Sequence, residues 1–468
     1  MKASKYNIIM EEEDGGILIF NCVSCNFAKL NKENYESYLK ITSQHSDINE
    51  SESKMKALIK ELSAGFFIVD DRVDEMNCVK LRHDMVRFSK DQMTVTILPT
   101  TACNFNCIYC FEGFKKSYFL NSELEDCIVR HIDSSLKKGG NLRVTWFGGE
   151  PGLAIDSVYS LSHKILEVVN KKKLTYTMLF VTNGYLLNRD MIANLIRYGL
   201  DEVQVTIDGP REVHDKRRYL KNGGGTYDVI MNNLKNIADM ISIFLRINIV
   251  KHNISSFPIL LDELEKNGLR EKVFIYLNKT TADTDSCYGY KDNVFNVLDY
   301  SEVLIEAYEL LLKSKFKFKM IPKANAVNCA SIGYKSLYIN ANGDMYRCMS
   351  QFDDESQCIG NIRNPEQLNH RLFKWLAWDP FSNEYCIDCN IFPICQGGCP
   401  SNWINSSSFV EMKERCSHWK YTLQRLLRMQ YEGMKQGIIT KEGSNPYGRL
   451  QSSNTMIQEE DKNEIIKV

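Results

Sequence analysis

Cys103, Cys107 and Cys110 stand in the run Pro99-Thr-Thr-Ala-Cys103-Asn-Phe-Asn-Cys107-Ile-Tyr-Cys110-Phe-Glu. A four-iron cluster is normally held by four Cys thiolates. This loop offers three in a CxxxCxxC spacing, and the next cysteine, Cys127, lies a predicted helix away. A cluster held by three thiolates leaves one iron open, and an open metal position is where chemistry happens. Three cysteines within eight residues converge without a long loop closure. A CxxC zinc site beside a third cysteine is the competing reading. A second array runs Cys329, Cys348, Cys358, Cys386-Ile-Asp-Cys389, Cys395, Cys399 and Cys416. Sulfur ligands alone do not separate zinc from iron–sulfur clusters, so a structural zinc ribbon stays open for that array.

The bulk numbers frame this chemistry. The chain of 468 residues has room for two or three domains, and 44% hydrophobic with 25% charged residues is ordinary for a globular protein. A formal net charge of −1 gives no electrostatic argument for nucleic acid. No segment has the apolar length of a membrane span and no secretory hydrophobic region opens the chain, so no membrane and a cytoplasmic location are expected. In a reducing compartment 16 cysteines point to metal rather than disulfides. Cys22, Cys25, Cys78, Cys127 and Cys287 lack comparable partners and are expected as core packing, the Cys22-Val-Ser-Cys25 pair included.

The elements that must position the cysteines follow from periodicity. Residues 1–90 form a small α/β unit: paired strands over 16–28, a helix capped by Asn31, a helix over 53–63 and a strand over 66–69. Strands flanking two short helices suit a winged-helix fold, against a plain extension of the main domain. Over 91–320, strands are predicted at 94–98, 142–147, 177–182, 202–207, 244–250 and 273–277, with helices at 121–137, 152–170, 188–198, 226–241 and 256–267. This alternation predicts a parallel sheet with right-handed crossovers, a partial (β/α)6 barrel whose site gathers at the C-terminal strand ends. Residues 321–435 make a cysteine-rich domain with a hairpin turning at Asn342-Gly343. A flexible tail is expected over 436–468.

Three strand ends carry motifs: Gly148-Gly149-Glu150-Pro151, Asn183-Gly184, and Thr206-Ile-Asp208-Gly209-Pro210 followed by His214-Asp215-Lys-Arg217-Arg218. A bare GGEP can be a simple turn. His214 and Asp215 suit a general base, but helix-entry structure is the expected role. Gly223-Gly-Gly225 lacks the Lys-Ser/Thr ending of a phosphate loop and is taken as a flexible loop.

The cysteine loop, GGEP and the strand-end Thr resemble the radical S-adenosylmethionine (radical SAM) enzymes, and the later cysteines resemble a SPASM domain. Together the likeness covers about residues 93–430. It implies a SAM-binding 4Fe–4S cluster on Cys103, Cys107 and Cys110, and reductive cleavage of SAM to a 5′-deoxyadenosyl radical. It also implies adenine packing at Tyr109 and Phe111, methionine amino-group binding by Gly148, Gly149, Glu150 and Pro151, a pocket wall at Asn183, and carboxylate contacts from Thr206 and Arg218, with Arg217 an adjacent alternative. Two auxiliary clusters are implied, one on Cys386, Cys389, Cys395 and Cys416 and one on Cys329, Cys348 and Cys399. For the latter, either Cys358 completes the site or one iron stays open. Met349 stands where sulfatase-maturing relatives carry a catalytic Asp.

The N-terminal unit resembles leader-binding elements of peptide maturases. The expected partners are therefore a precursor peptide with its leader and a reduced flavodoxin or ferredoxin-type donor. The expected activity is modification of that peptide, with Cys-to-carbon thioether formation foremost. Carbon–carbon crosslinking or side-chain oxidation is the alternative enzyme class, and a zinc-bearing peptide-binding module is the non-enzymatic one.

Overall fold

Ile8-Ile9-Met10 and Ile17-Leu18-Ile19-Phe20 are apolar runs, and the segments that hold them make the first hairpin. The structure is a computed structural model that describes residues 1–43, 53–113, 116–282, 284, 286–352, 354–404, 412–439 and 465–467. The N-terminal unit holds β1 (Lys2–Ala3), β2 (Asn7–Glu11), β3 (Ile17–Asn21), β4 (Phe27–Leu30), α1 (Lys32–Thr42), α2 (Ser53–Ala64), β5 (Ile68–Val69) and α3 (Glu75–Arg87). Strands β2, β3 and β4 form an antiparallel meander, and β1 pairs with β5. Asn31 caps α1 by accepting from the Asn34 amide, as its position predicts. Period-2 alternation assigns the sheet's two faces. Ile17, Ile19, Ala28 and Leu30 pack with Tyr38, Ile41, Leu58 and Leu62 under the helices. Ile8, Met10, Leu18, Phe20 and Phe27 share a core with Ile391, Phe392, Leu423 and Leu427 near the other end of the chain.

The central sheet begins with β6 (Gln92–Ile97), followed by α4 (Ser122–Ser135), β7 (Asn141–Trp146), α5 (Ile155–Lys172), β8 (Thr175–Thr182), α6 (Arg189–Arg197), β9 (Leu200–Thr206), α7 (Arg211–Arg217), α8 (Tyr227–Ile237), β10 (Ser242–Ile249), α9 (Phe257–Lys266), β11 (Val273–Lys279), α10 (Val297–Lys313) and β12 (Lys317–Phe318). Strands β6 to β12 pair in chain order, all parallel. The strands put Val95, Val144, Phe180, Val203 and Leu245, each under 1% exposed, into one core with the covering helices. A sheet buried on both faces by crossover helices needs such apolar strands.

The cysteine-rich region contains β13 (Ser336–Ile339), β14 (Asp344–Tyr346), β15 (Gly360–Asn361), α11 (His370–Ala377), α12 (Phe392–Cys395), α13 (Ser401–Ile404), α14 (Met412–Arg415) and α15 (Trp419–Lys435). The hairpin expected at Asn342-Gly343 forms, with Gly343 at φ +92°. It is not separate from the sheet: β13 pairs in parallel with β6, Ser336 opposite Thr94, and β14 and β15 extend the sheet to ten strands. Strand β6 is therefore an interior strand. The outer strands β12 and β15 do not pair with each other, so the sheet is open. Of the tail expected over 436–468, residues 440–464 and 468 lie outside the described residues. Ile465–Lys467 departs from that expectation, since it forms strand β16 antiparallel to β4. Among the described residues no helix is long and apolar enough to cross a membrane.

Arg87, at the end of α3 and 4% exposed, fastens the N-terminal unit to the cysteine-rich region. Its Nε donates to the Ile332 carbonyl at 3.1 Å, and its Nη2 to those of Trp375 and Leu376 at 3.0 and 2.9 Å. Arg87→Ala strands three carbonyls. It is expected to cost about 3 kcal/mol, read as a lower urea midpoint together with faster proteolysis of the segment after α3.

Candidate active site

The cysteine loop leaves the C-terminal end of β6 and is stitched to the chain after α7. Asn106 and Ile108 amides donate to the Tyr219 and Arg217 carbonyls at 2.8 and 3.1 Å, and the Lys221 amide donates to Asn104 at 3.0 Å. On its other side the loop touches the GGEP turn, where the Gly149 and Glu150 amides donate to the Thr100 and Ala102 carbonyls at 3.2 and 2.8 Å. A Cβ on Gly149 would lie 2.2 Å from the Ala102 oxygen, and Gly148 holds φ +115°. Both glycines are required by this approach of backbone to backbone.

Glu150 is 1% exposed and its carboxylate accepts from the Gly152 amide (2.9 Å), Thr182 Oγ1 (2.7 Å) and the Asn183 amide (2.8 Å). Burial raises its pKa and these three donors oppose the rise. Asn183 in turn donates from Nδ2 to Asn104 Oδ1 at 2.8 Å. Pro151 opens the short turn that follows. Thr206, the last residue of β9, is 8% exposed beside Arg246 of β10.

The structure separates the two adjacent arginines. Arg217 donates from Nε to Asp208 at 3.3 Å and from Nη1 to the Tyr290 hydroxyl at 2.6 Å, and its guanidinium stacks 4.8 Å from the Tyr109 ring. Arg218 donates from Nη1 to the Tyr109 hydroxyl at 2.8 Å, while its buried Nε has no acceptor. Tyr109 donates to Asp208 and receives from Asn248 Nδ2, so its ring is fixed within this network. Burial would raise the Asp208 pKa, but Arg217, Arg218 and the Tyr109 hydroxyl hold it below the ordinary value. Phe111 stacks on Phe147 at 6.4 Å. Asn248 and Tyr290 were missed by motif reading, Asp208 stood in its strand-end motif without a role, and Arg217 was named only as the alternative to Arg218.

Arg218 Nε, Glu112 Oε1 and Asn104 Nδ2 are all shut from solvent without a partner. Buried polar atoms are normally paired, so three orphans around one loop mark space for a ligand. The donors fit the implied groups. Burial pushes Cys103 up to about 12 against a bond from the Phe105 amide, and burial also raises Cys107 and Cys110. Such thiols stay neutral unless a metal replaces the proton. Burial and the charge of Glu150 push Glu112 up to about 8.

The later cysteines fall into two neighbourhoods. Burial, then Cys348 and Cys329, push Cys399 up to about 11. Burial, then Cys395, Cys416 and Cys389, push Cys386 to about 11. Cys358 is turned aside, donating to the Gly360 carbonyl at 3.1 Å beside Asp344 and Glu355. Among the described residues, no three His, Cys, Asp or Glu side chains converge on a single metal ion. The core-packing expectation holds for Cys22, Cys127 and Cys287, while Cys78 is exposed and Cys25 half-buried. Cys78 sits among the polar positions of an amphipathic helix, and no periodicity reserved it for the core.

His214 and Asp215 are structural, as expected. His214 Nδ1 accepts from the Asp208 amide at 3.3 Å, leaving Nε2 to face Thr226 Oγ1 at 3.1 Å. Asp215 accepts from the Thr226 and Tyr227 amides at the start of α8. Burial, then Arg218, depress His214 to about 3. The unfolded chain therefore takes up a proton near pH 6.5 that the folded chain refuses. This contribution to stability is full above pH 6.5 and is lost by about 1.4 kcal/mol per pH unit as pH falls toward 3. Urea melts between pH 7 and 5 should be steeper in pH for the native chain than for His214→Gln.

Residues 97–264 match the family model of the Radical SAM superfamily. Over 204 residues the chain is 30% identical to an Fe-coproporphyrin III synthase of Methanosarcina barkeri, spanning 42% of this chain and about half (47%) of that one. It is 24% identical to a cysteine-type anaerobic sulfatase-maturating enzyme of Clostridium novyi, over 66% of this chain and 88% of the relative. It is 22% identical to the radical SAM cyclopropyl synthase TigE of Paramaledivibacter caminithermalis, over 85% and 89%. The solved structure of anSMEcpe with bound AdoMet shares the fold at TM-score 0.56 and 17% identity, over 72% of this chain and 99% of that one. The segment that carries the three loop thiols, the GGEP turn and the strand-end Thr thus matches a radical SAM domain over residues 97–264.

Proposed function

We propose that the chain is a maturase of a ribosomally made precursor peptide that joins a cysteine sulfur to carbon. The cofactors, when bound, supply a reductively generated 5′-deoxyadenosyl radical. Cys103, Cys107 and Cys110 would hold the SAM-binding cluster. The carbonyls of Gly148 and Gly149 would accept from the methionine ammonium, and Arg218 Nε and the Thr206 hydroxyl would donate to its carboxylate. Glu150 would act by holding the GGEP turn, since its oxygens are already engaged. Two relatives act, by name, through radical SAM chemistry or on a sulfatase, which favours a peptide or protein substrate.

The observation that carries the thioether reading is the set Cys329, Cys348 and Cys399. Cys348 and Cys329 stand within electrostatic reach of Cys399, and Cys358 donates to a backbone carbonyl instead, which supports that reading. Three thiolates leave a coordination position for a substrate thiolate. Met349 in place of an Asp disfavours sulfatase-type oxidation. The N-terminal unit, five strands with three helices, is read as a winged-helix leader-recognition element, with the outer edge of β2 suited to strand addition. A carbon–carbon bond is the second reading, favoured by the near full-length match to a cyclopropyl synthase. It predicts no need for a substrate cysteine.

Anaerobically reconstituted protein should hold about twelve irons per chain and release 5′-deoxyadenosine from SAM with dithionite. Replacing Cys103, Cys107 and Cys110 together with Ala should abolish that release and leave roughly eight irons; retained cleavage would refute the assignment. A cysteine-bearing precursor peptide should lose two hydrogens by mass and lose its alkylatable thiol. Product formed from a peptide with that cysteine changed to Ala would favour the second reading.

Cys358 provides a separate test. Cys358→Ser should keep its iron and its product, whereas Cys399→Ser should lose about four irons. Equal iron loss in both would make Cys358 the fourth ligand.

A further inference from the structure

Glu112 follows the third cysteine of the loop by two residues, and the radical SAM reading gives it no role. Its Oε1 is shut from solvent and meets no donor. Its neighbour Phe111 stacks on Phe147, the residue before the GGEP turn, at 6.4 Å, which brings this end of the cysteine loop against that turn. The buried, unpartnered carboxyl oxygen therefore belongs to the part of the cysteine loop packed near the GGEP turn.

Neighbouring acidic groups are already occupied. Glu150 is held by three donors, and Asp208 by Arg217, Tyr109 and the Asn248 amide. Arg218 is the nearby cation with a free nitrogen, but its Nη1 is spent on Tyr109. An unengaged carboxylate oxygen in a water-excluded site calls for a cation or an N–H donor from whatever binds there.

We propose that Glu112 is a SAM-binding residue whose carboxylate pairs with a positively charged centre of the bound sulfonium nucleoside. Two centres qualify, the ammonium of the methionine moiety and the sulfonium itself. Arg218 and Glu112 then face the same ligand with opposite charges, one toward its carboxylate and one toward its cation. That pairing favours SAM over ligands lacking the second charge.

The inference rests on the radical SAM reading of the loop, and binding of SAM by the reconstituted native chain tests that reading first. If the native chain binds no SAM, the family reading fails; if it does, Glu112 can be judged separately. The test measures SAM and S-adenosylhomocysteine binding to unreduced, reconstituted Glu112→Gln by anaerobic equilibrium dialysis, with iron content in parallel. With iron unchanged, SAM affinity should fall about tenfold or more. S-adenosylhomocysteine keeps the ammonium and lacks the sulfonium charge. An equal loss for both ligands places the partner at the ammonium, and a loss for SAM alone places it at the sulfonium. SAM affinity within twofold of the native chain overturns the proposal. Should Glu112→Gln fail to load iron, Glu112→Asp, which keeps the charge but draws it back, is judged by the same comparison. Weakened SAM binding at normal iron supports the pairing, and unchanged binding overturns it.

Discussion

A carboxylate with almost no exposure, Glu150, sets the geometry on which the site depends. Leaving such a group unpaired would cost several kcal/mol, so its three donors are obligatory rather than incidental. Each comes from a different piece of structure. Gly152 belongs to the turn after GGEP, Thr182 ends β8, and Asn183 begins the following loop. The Glu150 amide also binds Ala102, and Asn183 reaches Asn104, so the cysteine loop is tied to the same centre. Two strand ends and the loop can therefore occupy only one mutual arrangement. The glycines beside it belong to the same constraint, because any Cβ at Gly149 would collide with Ala102.

A second centre assembles the far wall of the pocket, and it explains why neighbouring arginines have different work. Arg217 is the last residue of α7, and Arg218, at φ −134°, has left the helix. The break sends the two side chains apart. Arg217 turns to Asp208 and Tyr290, where a buried ion pair and two aromatic faces absorb its charge. Arg218 turns toward the cysteine loop and lies 5.7 Å from the Phe105 ring. His214 completes the centre as a neutral spacer between the Asp208 amide and Thr226. A protonated imidazole there would place a third positive charge beside the two guanidiniums.

Much of this was legible in the residues, because local chemistry wrote it. The six parallel strands are apolar runs at regular spacing, and β6 to β11 lie where periodicity predicts them within a few residues. The loop cysteines, GGEP and the strand-end Thr announce themselves by type and spacing. The docking of β13 on β6 was not legible. It joins residues some 240 positions apart through backbone hydrogen bonds, which carry no side-chain signature. The different partners of Arg217 and Arg218 were equally hidden, since they depend on where α7 stops. Cys358 shows the same limit: spacing left it a possible ligand, while the turn into β15 directs its sulfur at Gly360.

The N-terminal unit was expected as a domain of its own, yet its sheet is finished by the other end of the chain. One face of the β2–β3–β4 meander packs on its helices, and the opposite face closes on Ile391, Phe392, Leu423 and Leu427. Cys386, Cys389 and Cys395 border that second core. Neither half can bury its apolar surface alone, so the segment that holds these thiols and the β2–β3–β4 sheet form one packed body. Arg87 adds a polar fastening at the end of α3. Densely packed interfaces move as units rather than deform. The separation between the outer β2 edge and the cysteine loop is therefore a fixed length of the fold, and on the proposed function it would limit which residues of a peptide anchored at that edge reach the loop.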